Sequence, residues 1–313
     1  MDKFVYTNLF GTFLFKGNIP IAKKLFKDLE DRKHRLEYEK GFIGTSNMSR
    51  ADESFIFPKI EEYREMFYRF NMSLTEKDLI KSVKIDILIS QAISNVEELN
   101  RVINLLSKRL REWYGLHYPE LDLKVDDNEI YAKLVATKKR SQLMKEFVSK
   151  TIGADLSEDH VRQMQVLAVE ITSLMEVRES EKKYIESVMD TFCPNLKEVA
   201  SATIAAELIS HAGSLEKLAE MTSSTIQLLG AEKALFRHLK NKNARCPKHG
   251  IIINHPIIAA AKMSEKGRVS RHLASAISKA AKIDFFHRKE QGPLNNSMGI
   301  MLMDKLKKQI EQR

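Results

Sequence analysis

Apolar positions change rhythm along this 313-residue chain, and each change marks a different kind of structure. The opening run Phe4-Val5-Tyr6-Thr7-Asn8-Leu9-Phe10-Gly11-Thr12-Phe13-Leu14-Phe15 is rich in aromatic and β-branched residues. The turn-forming Lys16-Gly17-Asn18 follows it, so strands are predicted. From Ile19 to about Arg35 the spacing turns helical, Ser54-Phe55-Ile56-Phe57-Pro58 predicts a short extended piece, and a helix is expected near Lys59 to Phe70. Residues 1–83 are therefore expected to form a small α/β domain.

The next region is different in kind. Ile85, Ile89, Ala92, Val96, Leu99, Ile103, Leu106, Leu110 and Trp113 alternate spacings of four and three, which puts them on one stripe of a single long helix. After Pro119, the polar Asp126-Asp127-Asn128 predicts the start of a second helix running from about Glu129 to Lys150, with Gly153 in the connection. A third helix is expected to begin at Ser157 as N-cap, with Glu158 and Asp159 in its positive first turn and Leu156 placed to pack on Val161. Its apolar seam, Val161, Met164, Ala168, Ile171 and Met175, meets Arg178 and Lys182 before resuming at Ile185 and Met189. Two consecutive helices joined by so short a turn predict an antiparallel coiled-coil hairpin, residues 84–192, too thin to bury both its faces. Self-association through that seam is the expectation, against the plainer alternative that the seam packs on the chain's own first long helix.

Pro194 then opens a region of shorter helices, residues 193–290, with Gly213 and Gly230 at turns or helix ends. Residues 291–313 read as a charged terminal helix, exposed. The fold class expected is mainly α, with a small N-terminal α/β domain, a long hairpin and an all-helical domain after it.

Charge adds what periodicity does not. The chain carries +9 with His neutral. Between Gly230 and Glu290, fourteen Lys and Arg face Glu232, Glu265, Asp284 and Glu290, a local +10, which leaves −1 for everything else. Cations gathered in one module favour a polyphosphate partner, because binding releases condensed counterions. Lys233, Arg237 and Lys240 fall at helical spacing on one face, with Ala234, Leu235, Phe236 and Leu239 as the apolar remainder that would dock on a core. Arg245, Lys248 and His249 lie in the loop Asn241 to Gly250, whose donors can wrap a phosphate ribbon. Arg268 and Arg271 open a helix that continues through Lys279 and Lys282, and a helix start favours anions.

Other chemistries find no support. There is no GxGxxG after a strand and no Walker A motif, and Glu97-Glu98 and Glu158-Asp159 read as solvated faces, so no catalytic residue and no cofactor are expected. Cys193 and Cys246 form no CxxC pair, and Cys246, His249 and His255 match no zinc spacing and lack a fourth ligand, so no metal is expected. No run approaches the roughly 18 uncharged apolar residues of a membrane span. The N-terminus lacks a basic leader with a small-residue cleavage site. A cytoplasmic protein with no membrane partner is the expectation.

Several ordered motifs together resemble the Nop-domain family. They are RLREWYGLHYPEL (Arg109 to Leu121), HAGSLEKLAEMTSSTIQLLGAEK (His211 to Lys233), LLGAEKALFRHLK (Leu228 to Lys240), PKHG (Pro247 to Gly250), His255-Pro256, and KGRVSRHLASAISKAAKIDFF (Lys266 to Phe286). The resemblance spans about Lys84 to Phe286. It departs where the family commonly has PAST and QHP, here Thr222-Ser223-Ser224-Thr225 and Asn254-His255-Pro256. The resemblance implies a non-catalytic scaffold of a box C/D guide ribonucleoprotein. In that family the Nop domain grips a kink-turn guide RNA already holding a small ribosomal-protein-like partner, the coiled coil forms a homodimer, and the N-terminal domain docks the methyltransferase fibrillarin. It implies RNA contacts at Lys233, Arg237, Lys248, His249, Arg268, Arg271 and Lys282. Gly230, Ala231 and Glu232 match the GAEK signature, with Glu232 expected to support neighbours instead of meeting phosphate. Eukaryotic nucleolar relatives carry long lysine-rich tails, and their absence favours an archaeal protein. The alternatives are a spliceosomal-type Nop-domain RNA binder, whose usual motif departs from AEKALFR, and a coiled-coil assembly protein.

Overall fold

A computed structural model describes residues 3–8, 11–17, 19–26, 43–44, 60–241, 243–289 and 295–311. The chain divides into two compact units, Met1–Lys84 and Ile85–Arg313.

In the first unit, β1 (Lys3–Thr7) pairs antiparallel with β2 (Gly11–Lys16), and β2 pairs antiparallel with β3 (Ile19–Leu25). β4 (Ile43–Gly44) joins β1 in parallel, giving the order β3-β2-β1-β4. Phe13 and Phe15 alternate onto the buried face with Phe4 and Tyr6 packed against them, as a period of two requires. The helical reading from Ile19 is corrected by β3. The Lys16-Gly17 turn, with Gly17 at φ +64°, folds Ile19–Leu25 back onto β2, and sheet pairing overrides a local helical spacing. The rest of that expected helix, and Ser54 to Pro58, lie outside the described residues. Helix α1 (Ile60–Ser82) extends well beyond the expected Phe70, and Phe70 packs on Phe26.

The second unit is built on two long helices, α2 (Ile85–Tyr114) and α6 (Glu158–Phe192). Between them come α3 (Glu120–Lys124), α4 (Asn128–Thr137) and α5 (Arg140–Glu146). The expected helix from Glu129 to Lys150 is therefore broken at Lys138-Lys139, where both residues are extended. Asp127 caps α4, its Oδ1 accepting from the amides of Glu129 and Ile130 at 2.8 Å. Ser157 stands at the N-cap of α6 without a side-chain cap bond.

The long antiparallel pair of this unit is not the one expected from the two consecutive helices. Ile89, Ala92, Ile93 and Val96 of α2 share a core with Ile185, Met189 and Phe192 of α6, while Ile103, Leu110 and Tyr114 share another with Met164, Ala168, Ile171 and Met175. That crossed pairing makes α2 and α6 antiparallel, with α4 packed alongside at the tip. The seam expected to join two copies, Met164, Ala168, Ile171 and Met175, is thus buried on this chain's own α2 and α4, and Val161 is half-buried. Consecutive helices are not the hairpin pair, because α2 offers a longer matching stripe than the broken α4 and α5.

Beyond α6 lie α7 (Pro194–Ala200), α8 (Ala202–Ala212), α9 (Leu215–Glu220), α10 (Ser223–Leu228), α11 (Glu232–Lys240), a 3₁₀ turn at Ile251–Asn254, α12 (Pro256–Ala259), α13 (Lys266–Lys289) and α14 (Ser297–Glu311). Pro194 begins α7 at a position where its missing N–H costs nothing, and Gly213, at φ +89°, ends α8. α13 runs through this core, and buried Asp284 on it accepts from the amide of Leu196 at 2.8 Å and from Asn195 Nδ2 at 2.7 Å. Asn195 Oδ1 in turn accepts from the Gly299 amide at 2.7 Å. The terminal helix α14, expected to be exposed, buries Leu302 and Leu306 in the same core. Its apolar stripe needed a partner, and Asn195 pins its first turn. Among the described residues no helix is long and apolar enough to cross a membrane.

Candidate nucleic-acid interface

Two glycines permit the crossing that organises the basic module. Gly230 has φ +86°, and a Cβ there would lie 2.5 Å from Ile251 Cγ1. A Cβ on Gly250 would lie 1.9 Å from the Leu229 carbonyl oxygen. Only glycine lets the turn before α11 and the PKHG turn approach this closely. The contact is fastened by hydrogen bonds, in which the Gly250 amide donates to Gln227 O at 2.8 Å and the Ile251 amide to Leu229 O at 2.9 Å. Gln227 Nε2 donates to Lys248 O at 2.6 Å. Glu232 Oε1 accepts from the Gly230 amide at 2.6 Å, so this carboxylate supports the turn. Lys248 and His249 are thereby held at the root of α11, which carries Lys233, Arg237 and Lys240, all exposed.

The start of α13 joins this cluster. A Cβ on Gly267 would lie 3.7 Å from Lys248 Cδ, so the Lys248 chain runs past the first turn of α13. Burial first, and then the charges of Lys266 and Lys248, hold the His249 ring below its usual pKa. It is therefore a neutral ring at pH 7, suited to stacking or to a single hydrogen bond. Arg268, paired at 3.8 Å with Glu265, and exposed Arg271 begin a solvent-facing row on α13 that continues through Ser275, Lys279, Lys282 and Phe286 at spacings of three and four. Lys282 shares the row but lies about 21 Å along the helix from Arg268, at 1.5 Å per residue. It is not part of the converging cluster.

The remaining expected positions divide clearly. Arg245 is exposed in the loop after α11, which His238 Nδ1 holds in place by a contact with Ala244 O at 2.5 Å. α11 has no buried residue, and Phe236 and Leu239 are 66% and 65% exposed, so this helix is not simply docked by its apolar face. His255 is buried, and its Nδ1 accepts from the Ile257 amide at 3.3 Å to cap α12. Cys246 is exposed, and among the described residues no group of three or more His, Cys, Asp or Glu is placed to hold a metal. Sequence reasoning missed Gln227, which anchors the PKHG turn, and Lys266, which faces His249. Nothing local to Gln227 signals a long-range side-chain tie, and Lys266 stands only as the first residue of the motif that runs to Phe286.

Comparisons with known proteins follow the same lines. The family model described as "Nop: snoRNA binding domain, fibrillarin" matches residues 95–312. An uncharacterized NOP5 family protein of Methanocaldococcus jannaschii is 36% identical over 290 residues, covering 87% of this chain and 68% of that protein. Nucleolar protein 56 of Saccharomyces cerevisiae is 38% identical over 247 residues, covering 72% of this chain, and nucleolar protein 58 of Neurospora crassa is 33% identical over 273 residues, covering 80%. The chain spans less than half of these two nucleolar proteins, 47% and 46% of their lengths. A solved structure titled as that of a fibrillarin/Nop5p complex matches with a TM-score of 0.45 and 23% identity, over 97% of this chain and 99% of that one.

Proposed function

The chain belongs to the Nop family, and from that membership we propose that it is an RNA-binding scaffold that performs no chemistry itself. It holds a box C/D guide RNA at a kink-turn together with a small ribosomal-protein-like partner, and it presents fibrillarin for RNA 2′-O-methylation. The observation that carries the reading is the meeting of the Gly230 turn, the PKHG turn and the first turn of α13, which sets Lys248 and His249 at the root of the helix that carries exposed Lys233 and Arg237 and beside the start of the helix that carries Arg268 and Arg271. Exposed Phe236 and Leu239 beside those cations support a surface shared between RNA and protein. In the first unit, both edge strands expose apolar side chains, Ile19 and Ile21 on β3 and Ile43 on β4, which supports the docking of fibrillarin there.

Self-association needs a surface other than the buried seam. Val166, Val169, Val177 and Tyr184 are half exposed on the side of α6 opposite Met164 and Ala168, and this outward row is the proposed contact between copies.

The deciding experiment is a gel shift of a kink-turn guide RNA with and without the kink-turn protein, at physiological salt. Arg237→Ala, Arg268→Ala and Arg271→Ala are each expected to weaken retention by about 1 kcal/mol and to lower the salt slope by about one unit. Unchanged retention in all three variants would remove the proposal.

A further inference from the structure

The tip of the hairpin carries charge that the near-neutral sum outside the Gly230–Glu290 module conceals. From Lys138 to Lys150 there are five basic residues and one acid, a local +4. Lys138 occupies the acid, Glu146, at 2.6 Å. Arg140 donates to Ala154 O at 3.1 Å and approaches Asp155 at 3.4 Å. Lys139, Lys145 and Arg162 are exposed, and no carboxylate pairs with them among the described residues.

Two of these cations, Lys139 and Arg162, rim a cleft of about 650 Å³ between α5 and the start of α6. Its walls include Met144, Leu156 and Val161, which offer apolar contact, while Ser141 and Gln165 offer hydrogen-bonding edges. His117, only 6% exposed, also lines it and rests edge-on against Tyr114. Two acids share the lining: Asp155, which Arg140 engages, and Glu158 in the first turn of α6. A bare phosphate site would have no use for the apolar wall, and a duplex keeps its bases stacked inside and offers that wall no ring. An extruded base with its flanking phosphates uses both parts, the ring against Met144 and Leu156 and the phosphates against Lys139 and Arg162.

We propose that this cleft is a second RNA contact, taking an unpaired nucleotide at the hairpin tip. The inference rests on the RNA-scaffold reading but concerns a different surface. Acidic peptide is the competing occupant, and RNA is favoured because a base fills the apolar wall of Met144, Leu156 and Val161, which carboxylate side chains would leave without a partner.

The test uses the full chain with a Lys139→Ala/Arg162→Ala double variant. Both residues are exposed and make no side-chain hydrogen bond that fastens the tip, so unchanged melting is expected. To isolate the tip, the double variant is also placed in an Arg237→Ala/Arg271→Ala background. The probes are a fluorescent twelve-nucleotide oligouridine, a duplex RNA of the same length and a polyglutamate peptide. Affinity for oligouridine should fall roughly five- to tenfold in the tip variant, with the salt slope lowered by about two, while duplex affinity changes by less than about twofold. Unchanged oligouridine affinity would overturn the proposal. So would an equal loss for the duplex, which makes the tip a general polyanion patch, or polyglutamate binding as tight as oligouridine. If the Arg237 and Arg271 variants lose guide RNA while the tip variant does not, the tip site alone is wrong. If those variants keep guide RNA, the scaffold reading fails on its own account.

Discussion

Arg111 and Arg178 in the hairpin and Arg237 and Arg271 in the basic module are used in opposite ways. Arg111 has its donors filled, Nε to Asn128 Oδ1 at 2.7 Å, Nη1 to Asp122 at 2.6 Å and Nη2 to the carbonyls of Val125 and Asp126, with its guanidinium 4.4 Å from the Tyr131 ring centre. Arg178 is buried at the junction of the two hydrophobic cores, where it meets Glu129 at 2.6 and 3.1 Å, Glu179 at 2.9 Å and Asn100 at 3.1 Å. Arg237 and Arg271 face solvent, with no acid paired to either among the described residues. Charge density therefore does not by itself mark a nucleic-acid surface. What marks it is cationic donors left open by the fold, on a backbone rigid enough to aim them.

The sharpest way to break this contrast is to remove Arg178. Arg178→Ala leaves Glu129 and Asn100 without their partner where α2, α4 and α6 meet, and should cost about 3 kcal/mol in urea denaturation. RNA affinity of the folded fraction should not move. A loss of RNA binding equal to that of Arg237→Ala would erase the distinction drawn here. Next in size is Gly250→Ala, whose new methyl meets the Leu229 carbonyl. Overpacking of this kind costs about 1–3 kcal/mol, and displacing the PKHG turn should weaken guide-RNA binding about tenfold. A variant with native affinity would show that the locked crossing is not what aims Lys248 and His249.

A smaller effect probes an acid on the hairpin side. Glu207 on α8 has its pKa raised to about 7, first by burial and then by Glu97 on α2. The folded state thus holds a proton that the unfolded chain releases near pH 4.5, so stability falls as pH rises from there to about 7 and then levels. Glu207→Gln should stabilise by about 1–2 kcal/mol at pH 8, discounted for its partial exposure, and by little at pH 4.5. Thermal melts at the two pH values measure it, and an equal gain at both would remove the electrostatic account.

Much of the architecture was legible because helices of this length repeat their pattern many times. The stripe from Ile89 to Leu110 could belong to nothing but a long buried helix, and Pro194 and Gly213 mark boundaries through their own backbone limits. What stayed hidden was partnership. Nothing local says that Met164 and Ile171 face α2 instead of a second copy, since both readings demand the same apolar seam. Ile19 to Leu25 misled for a related reason, because pairing with β2 is decided by a turn and not by spacing. In the basic module, residue types and spacing placed the cations on their helices. The closeness of Gly230 and Gly250 to neighbouring chain was not readable, because it depends on two segments meeting across twenty residues of sequence.

The finest measurement concerns His249, the titratable ring held beside Lys248 and Lys266. Its pKa is held down by burial and by Lys266 and Lys248, so an RNA phosphate entering the cluster would offset those charges and draw the pKa upward. A group whose pKa rises on binding takes up protons as the complex forms, so affinity must increase as pH falls through that range. Guide RNA should therefore bind about threefold tighter at pH 6 than at pH 8, a difference that His249→Gln abolishes. Titrating the ring's NMR signal with and without RNA separates the two roles open to it. An upward shift places phosphate beside the ring, whereas an unmoved or lowered pKa means that His249 meets a base face while the lysines alone carry the phosphate.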